Sequence, residues 1–198
     1  MTLLLCGSIA MRCMRILALL CALIVPAVQP WAGEIDLSFN SDALRVLYLH
    51  DFDNSDLSAD VGFVNDGDRG TVINGSLFIK GFASDGENPL QAGLGLRSGY
   101  VDGEDSDQSG IPVAVGAFFR WALPDMDRLS VRGAAWIAPD ALTFGDLDKY
   151  EDLSLRLQYA LLREADVFIG ARYLNTEYSN GSRAIIDNGL NLGFNIRF

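Results

Sequence analysis

From Glu34 onward apolar and polar side chains alternate in one segment after another, and no stretch sustains the 3.6-residue period of an amphipathic helix. The final segment is the clearest. Leu190, Leu192, Phe194, Ile196 and Phe198 alternate there with Gly189, Asn191, Gly193, Asn195 and Arg197. Leu153, Leu155, Leu157, Tyr159 and Leu161 alternate with Ser154, Arg156 and Gln158, and Val113, Val115, Ala117, Phe119 and Trp121 with Gly116 and Arg120. The same pattern recurs near 34–40, 43–50, 57–64, 71–82, 89–100, 128–138 and 166–175. It predicts an all-β chain of about ten strands, an antiparallel barrel whose even strand number returns both termini to one side. Eight strands would also fit, because the contrast between connections fades toward the N-terminus.

With Phe198 placed at the periplasmic face, the connections near 102–111, 139–150 and 176–188 are long and those near 123–127 and 163–165 are short. That matches the long outer loops and short periplasmic turns of transmembrane barrels. Alternation by itself also suits a soluble, lipocalin-like periplasmic binder. Three features favour lipid: the apolar phase runs for about ten residues without charge, the polar phase is built of Gly, Asn and Arg, and the chain stops on an aromatic. Tyr48, Trp121 and Phe198 fall at the periplasmic level and Phe39, Tyr100 and Tyr173 at the outer level, where aromatic rings favour the membrane interface.

Residues 1–33 have the layout of an export signal: Arg12 and Arg15, an apolar run from Ile16 to Val25, and a small-residue exit at Ala32 and Gly33. The run is too short to span a bilayer, and Met11 or Met14 is an alternative start. Cys6, Cys13 and Cys21 all lie within this segment, so the exported chain, residues 34–198, is expected to be one barrel domain without thiol or disulfide chemistry. Cys21 follows the bulky Leu20, which argues against a lipid-anchoring cysteine.

Composition narrows the partners. The whole chain carries a formal net charge of −11, and loss of two arginines with the signal leaves 13 basic against 26 acidic side chains. Nucleic acid is thereby disfavoured as a partner. Lys80 and Lys149 are the only lysines beside eleven arginines, a bias that suits enclosed hydrogen-bonded networks better than an ordinary soluble surface.

The ending Phe194, Ile196 and Phe198 resembles the C-terminal signature that outer-membrane barrels present to their assembly machinery. The opening Glu34-Ile35-Asp36-Leu37-Ser38-Phe39-Asn40 with Asp42-Ala43-Leu44-Arg45-Val46, and the closing Gly193-Phe194-Asn195-Ile196-Arg197-Phe198, resemble the YfaZ family of outer-membrane proteins. This resemblance implies an outer-membrane barrel of a Gram-negative bacterium. It implies no catalytic residues and no cofactor.

Few residues offer chemistry. His50 is the sole histidine, so a His-based catalytic base would have to be that residue, and a His-rich metal site is ruled out. Its place at the periplasmic end of a strand favours an ordinary exposed side chain over an enzyme. The clusters Asp51, Asp53, Asp56 and Asp66, Asp68 and Asp102, Glu104, Asp105, Asp107 lack the calcium-loop pattern, since Asp56 and Gly62 occupy positions that need Gly and Glu. Gly93, Gly95 and Gly99 lie within a strand and point to close packing in a narrow barrel. The polar phase carries Arg45, Arg97, Arg120, Arg132, Arg156, Arg172 and Arg197 with Lys80, against Glu34, Asp36 and Asp60. It makes either a bonded network that plugs the lumen or a narrow anion-favouring pore. The outer segments 65–70, 102–111, 139–152 and 175–188 hold thirteen acids against Arg69, Lys149 and Arg183. Lipopolysaccharide, itself anionic, would then be approached through bridging divalent cations.

Overall fold

A computed structural model describes residues 33–84, 89–103 and 108–198. The expected signal segment, its three cysteines, and Glu104, Asp105 and Asp107 lie outside the described residues, apart from Gly33, which opens the first strand. The strands are β1 (Gly33–Phe39), β2 (Ala43–Asp51), β3 (Leu57–Asp66), β4 (Gly70–Phe82), β5 (Leu90–Gly103), β6 (Gln108–Ala122), β7 (Leu129–Ala138), β8 (Thr143–Gly145), β9 (Leu147–Ala160), β10 (Ala165–Tyr178) and β11 (Arg183–Arg197). Each long strand pairs antiparallel with its neighbours. The ring closes through β5 with β6 and β1 with β11. Strand β8 is a spur on β6 at Gly110–Pro112, and β9 takes its place in the wall beside β7. The result is a ten-stranded barrel in which all ten expected strands are present, so the eight-strand alternative falls.

Seen along each strand, the apolar phase points outward. Val61, Leu77, Leu94, Leu155, Ile169, Leu190 and Leu192 are among many large apolar side chains left exposed around the wall. This answers whether the alternation served lipid or a core, because a soluble barrel turns that phase inward. Tyr48, Trp121 and Phe198 are exposed near the end where β1 begins and β11 finishes, here the terminal end, and Phe39 and Tyr100 at the opposite, distal end.

The loops differ from expectation. Strands β6, β9, β10 and β11 run well into the segments assigned to outer loops, so 176–188 contracts to a turn at 179–182 and residues 147–152 are strand. The cause is visible on the outward face beyond Leu153. Glu151 stands opposite Asn175, and Lys149 and Arg183 both stand opposite Glu177, a charged ladder that continues the hairpins past the apolar band into water. Sidedness therefore does not rest on loop length. It rests on the even strand number, which brings both termini to one face.

Glycines inside the wall make room for rings. A Cβ on Gly116 would collide with the Trp136 indole, and one on Gly95 would lie 2.5 Å from both the Leu77 carbonyl oxygen and the Phe78 Cβ. Phe118 likewise covers Gly93, and Asn74 covers Gly99. Gly116→Val is expected to cost roughly 1–3 kcal/mol by overpacking. Gly81→Ala, whose Cβ would meet nothing within 4 Å, serves as the control. Urea unfolding in detergent micelles, read by the heat-dependent gel shift of the folded barrel, measures both.

Candidate functional site

The lumen is a polar, largely buried region, and it is layered. At the distal end Val64, Val72, Val101, Ala114, Ala138, Leu147, Tyr150, Leu174, Tyr178 and Ile186 meet in one buried cluster with Trp136. These residues come from the distal ends of β3, β4, β5, β6, β7, β9, β10 and β11, so the cluster crosses the barrel as an apolar stopper. Sequence patterning did not predict it.

Asp152 sits where the stopper meets the charged layer, opposite Trp136 on β7 and Leu174 on β10. Arg97 Nη1 donates to its Oδ2 at 2.7 Å, while Arg172 donates through Nε at 3.0 Å and Nη2 at 2.9 Å. The Arg97 guanidinium also lies over the Trp136 ring, 4.2 Å from its centroid. Arg97 Nε donates to Ser76 Oγ at 2.8 Å, and Ser76 Oγ donates in turn to Asp60 at 2.7 Å. Arg172 reaches Asp187 at 3.5 Å. Asp187 accepts a 2.7 Å bond from Asn40 Nδ2, which ties β11 to the β1–β2 turn.

Toward the terminal end a second group forms. Arg156 donates to Asp36 and lies over the Phe168 ring, Arg45 faces Asp36 at 3.6 Å, and Arg132 donates to Glu34 at 2.5 Å. Arg197 donates to Asp166, with Arg120 at 3.9 Å from the same carboxylate. Lys80 meets Asp51 at 2.5 Å. All eight residues expected on the lumen face, Arg45, Asp60, Arg97, Arg120, Arg132, Arg156, Arg172 and Arg197, are thus brought together by ion pairs.

The carboxylates were the part that sequence reasoning missed. Asp152 and Asp187 fall in the segments that the sequence marks as outer loops and Asp166 stands at a strand start, yet all three are buried partners of arginine. The lumen is accordingly closer to charge balance than the expected positive surplus, and with Asp66 buried as well the acidic outer rim is smaller by three. Asp66, also in such a loop segment, accepts from the Asp68 backbone. Outside the apolar band, the hydrogen bond from Lys149 holds the Glu151 carboxyl below the usual range and raises Lys149. His50 shares the outward phase of Tyr48 and packs edge-on against Phe52, with ring centroids 4.9 Å apart.

Phe198 closes the wall. Its backbone exchanges hydrogen bonds with Gly33 at 2.9 and 3.0 Å, and its ring lies against the Gly33 Cα. A family model described as YfaZ precursor matches residues 11–198. The chain belongs to the YfaZ family. Outer membrane protein YfaZ of Escherichia coli (strain K12) is 31% identical over 112 residues, an alignment covering 56% of this chain and 59% of that protein. The match thus spans less than two thirds of the relative's length. Among solved structures, the outer membrane channel DcaP of Acinetobacter baumannii aligns with a TM-score of 0.43 at 16% identity, over 87% of this chain and 55% of that one. The KdgM porin in complex with disordered oligogalacturonate aligns with a TM-score of 0.44 at 12% identity, over 84% and 99%. This YfaZ-family chain is an outer-membrane β-barrel protein, made as a precursor and exported.

Removing one partner of a buried pair strands the other charge, which typically costs about 3–5 kcal/mol. Asp152→Ala removes the nearest carboxylate of two arginines, which keep only longer contacts to Asp60 and Asp187, so it is expected to fall within that range. Glu151→Gln, one residue away but facing water, is expected to leave the unfolding midpoint in place. Denaturant unfolding of both variants, followed by tryptophan fluorescence, provides the comparison.

Proposed function

We propose that this protein is a closed barrel, a structural element of the outer membrane that conducts no solute. The observation that carries the reading is the apolar stopper lying across the distal lumen, directly above the layer of paired arginines and carboxylates. An ion would have to desolvate against valines, leucines and tyrosines at that level, and hydrophobic constrictions of this kind exclude water and ions. A ten-stranded barrel has an interior that side chains can fill. With both termini periplasmic, the stopper faces the cell exterior and the charged layer faces the periplasm. Catalysis is no part of this reading, because His50 points away from the lumen.

The same reading gives the ends of the chain distinct partners. Phe194 and Ile196 on the outward phase, with Phe198 at the seam, serve as the signal for the barrel assembly machinery. The distal rim, where Asp68, Asp102, Asp140, Asp146 and Asp148 remain, meets lipopolysaccharide through divalent cations.

Purified protein added to a planar lipid bilayer is expected to give no steady conductance. Reproducible single-channel steps from the wild-type chain would overturn the closed reading. Leu174→Gly combined with Ile186→Gly thins the stopper and is expected to introduce such steps. For the assembly signal, deletion of Phe198 is expected to reduce folded protein in the outer membrane several-fold, whereas deletion of Asn180 and Gly181 from the β10–β11 turn leaves it near the wild-type level. Equal accumulation of the two deletions argues against the signal.

A further inference from the structure

Within the charged layer lies a chamber of about 60 Å³. Arg45, Arg97, Arg132, Arg156 and Arg172 all line it, and Asp60 is the single carboxylate that does so. The other carboxylates that neutralise these arginines, Glu34, Asp36, Asp152 and Asp187, bind them from outside the chamber lining. The lining therefore carries five guanidinium groups against one carboxylate, with Ser38, Ser154 and Asn191 as its only uncharged polar side chains among the described residues. One of the groups shows an unmet donor directly. Arg156 Nε is buried without a hydrogen-bond partner, and Arg45 is only loosely paired, 3.6 Å from an Asp36 oxygen. Arginine cannot shed its proton to escape such an environment. Burying its donors unpaired costs free energy that an acceptor would recover.

We propose that this chamber is a binding site for a small inorganic oxyanion of the phosphate or sulfate type. Charge-assisted hydrogen bonds from guanidinium forks suit the planar and tetrahedral oxygens of such ions, often two at a time. The aromatic walls, Phe78, Phe118, Trp136 and Phe168, lower the local dielectric and strengthen each bond. The size of the cavity limits the ligand to a few heavy atoms, which leaves out sugars and lipid headgroups. Entry is from the terminal end. Arg120 and Arg197, with 36% and 28% of their side-chain surface accessible, stand there as the most open of the lumen arginines. The apolar stopper seals the other side.

The site goes beyond the closed-barrel reading, and conductance measurements do not bear on it. The test uses the whole folded protein in lipid-free, phosphate-free detergent micelles, so that any anion bound is the one added. Thermal unfolding is followed in sodium phosphate, sodium sulfate and sodium chloride at equal ionic strength. Ligand that binds only the folded state raises its stability by mass action, so phosphate and sulfate are expected to raise the midpoint above that in chloride. Titration calorimetry with phosphate should give a saturable heat. Arg45→Gln is expected to weaken that binding at least tenfold, and Arg183→Gln, on the outside wall, to leave it unchanged. Should Arg45→Gln not fold, Ser154→Asp places a resident carboxylate in the chamber wall. It is expected to fold, to gain heat stability and to lose the response to phosphate. Identical midpoints in phosphate, sulfate and chloride for the wild type would show that the chamber holds water alone and would overturn the proposal. So would an undiminished phosphate response in Arg45→Gln or in Ser154→Asp.

Discussion

A backbone amide in hydrocarbon has no water to turn to, so a β-structure survives there only if its first strand pairs with its last. In this protein that condition falls on a short strand. β1 has seven residues and β11 has fifteen, and they share a ladder only from Glu34 with Arg197 to Phe39 with Leu192. Phe198 adds two backbone bonds at one end, and Asn40 grips Asp187 at the other. Closure at this seam places the polar phase of every strand inside a tube too narrow to be left empty.

What fills the tube follows from that geometry. Arginines on opposite strands cannot avoid one another, so each needs a carboxylate, and several carboxylates are shared. Asp152 serves Arg97 and Arg172, Asp36 serves Arg45 and Arg156, and Asp166 serves Arg197 and Arg120. Desolvating such groups costs several kcal/mol per ion, which the pairing offsets only when geometry and extra hydrogen bonds are good. Ser76 provides one such extra bond, passing from Arg97 to Asp60. The glycines belong to the same arrangement, because Trp136 reaches Arg97, and Phe118 the chamber, only where the neighbouring strand offers no Cβ.

The outward face was legible because lipid imposes one residue class on it for the whole height of the membrane. The arginines were legible for the complementary reason, since they interrupt that class at every second position. Two features escaped. Beyond Leu153 the outward residues become Glu151, Asn175, Glu177 and Arg183, so the alternation that marks a strand disappears while the strand itself continues. Asp152 and Asp187, inward residues of those continued strands, then pass for loop acids. The stopper escaped because its residues are of the same kind as the lipid-facing ones but lie on the opposite phase. Val64, Val72, Val101 and Leu174 look like wall positions until the register is known, and a bulge after Leu174 shifts the phase once more.

The distal end of the lumen is therefore built as a soluble protein builds its core, and the terminal end as a partly wet ionic cleft. The two zones depend on each other. The stopper keeps water from the distal side of Asp152, which strengthens its bonds to Arg97 and Arg172. Those bonds in turn hold β5, β9 and β10 at the spacing that lets Trp136 and Leu174 close over them. Asp152 contacts both zones, and none of the other lumen carboxylates has two arginines bonded to it on one side and two stopper residues as register partners on the other. A barrel assembled in this way is asymmetric between its two mouths: the distal mouth is dry and packed, while the terminal mouth presents partly accessible cations. Any small solute that the lumen admits would come from the mouth at which β1 begins and β11 finishes.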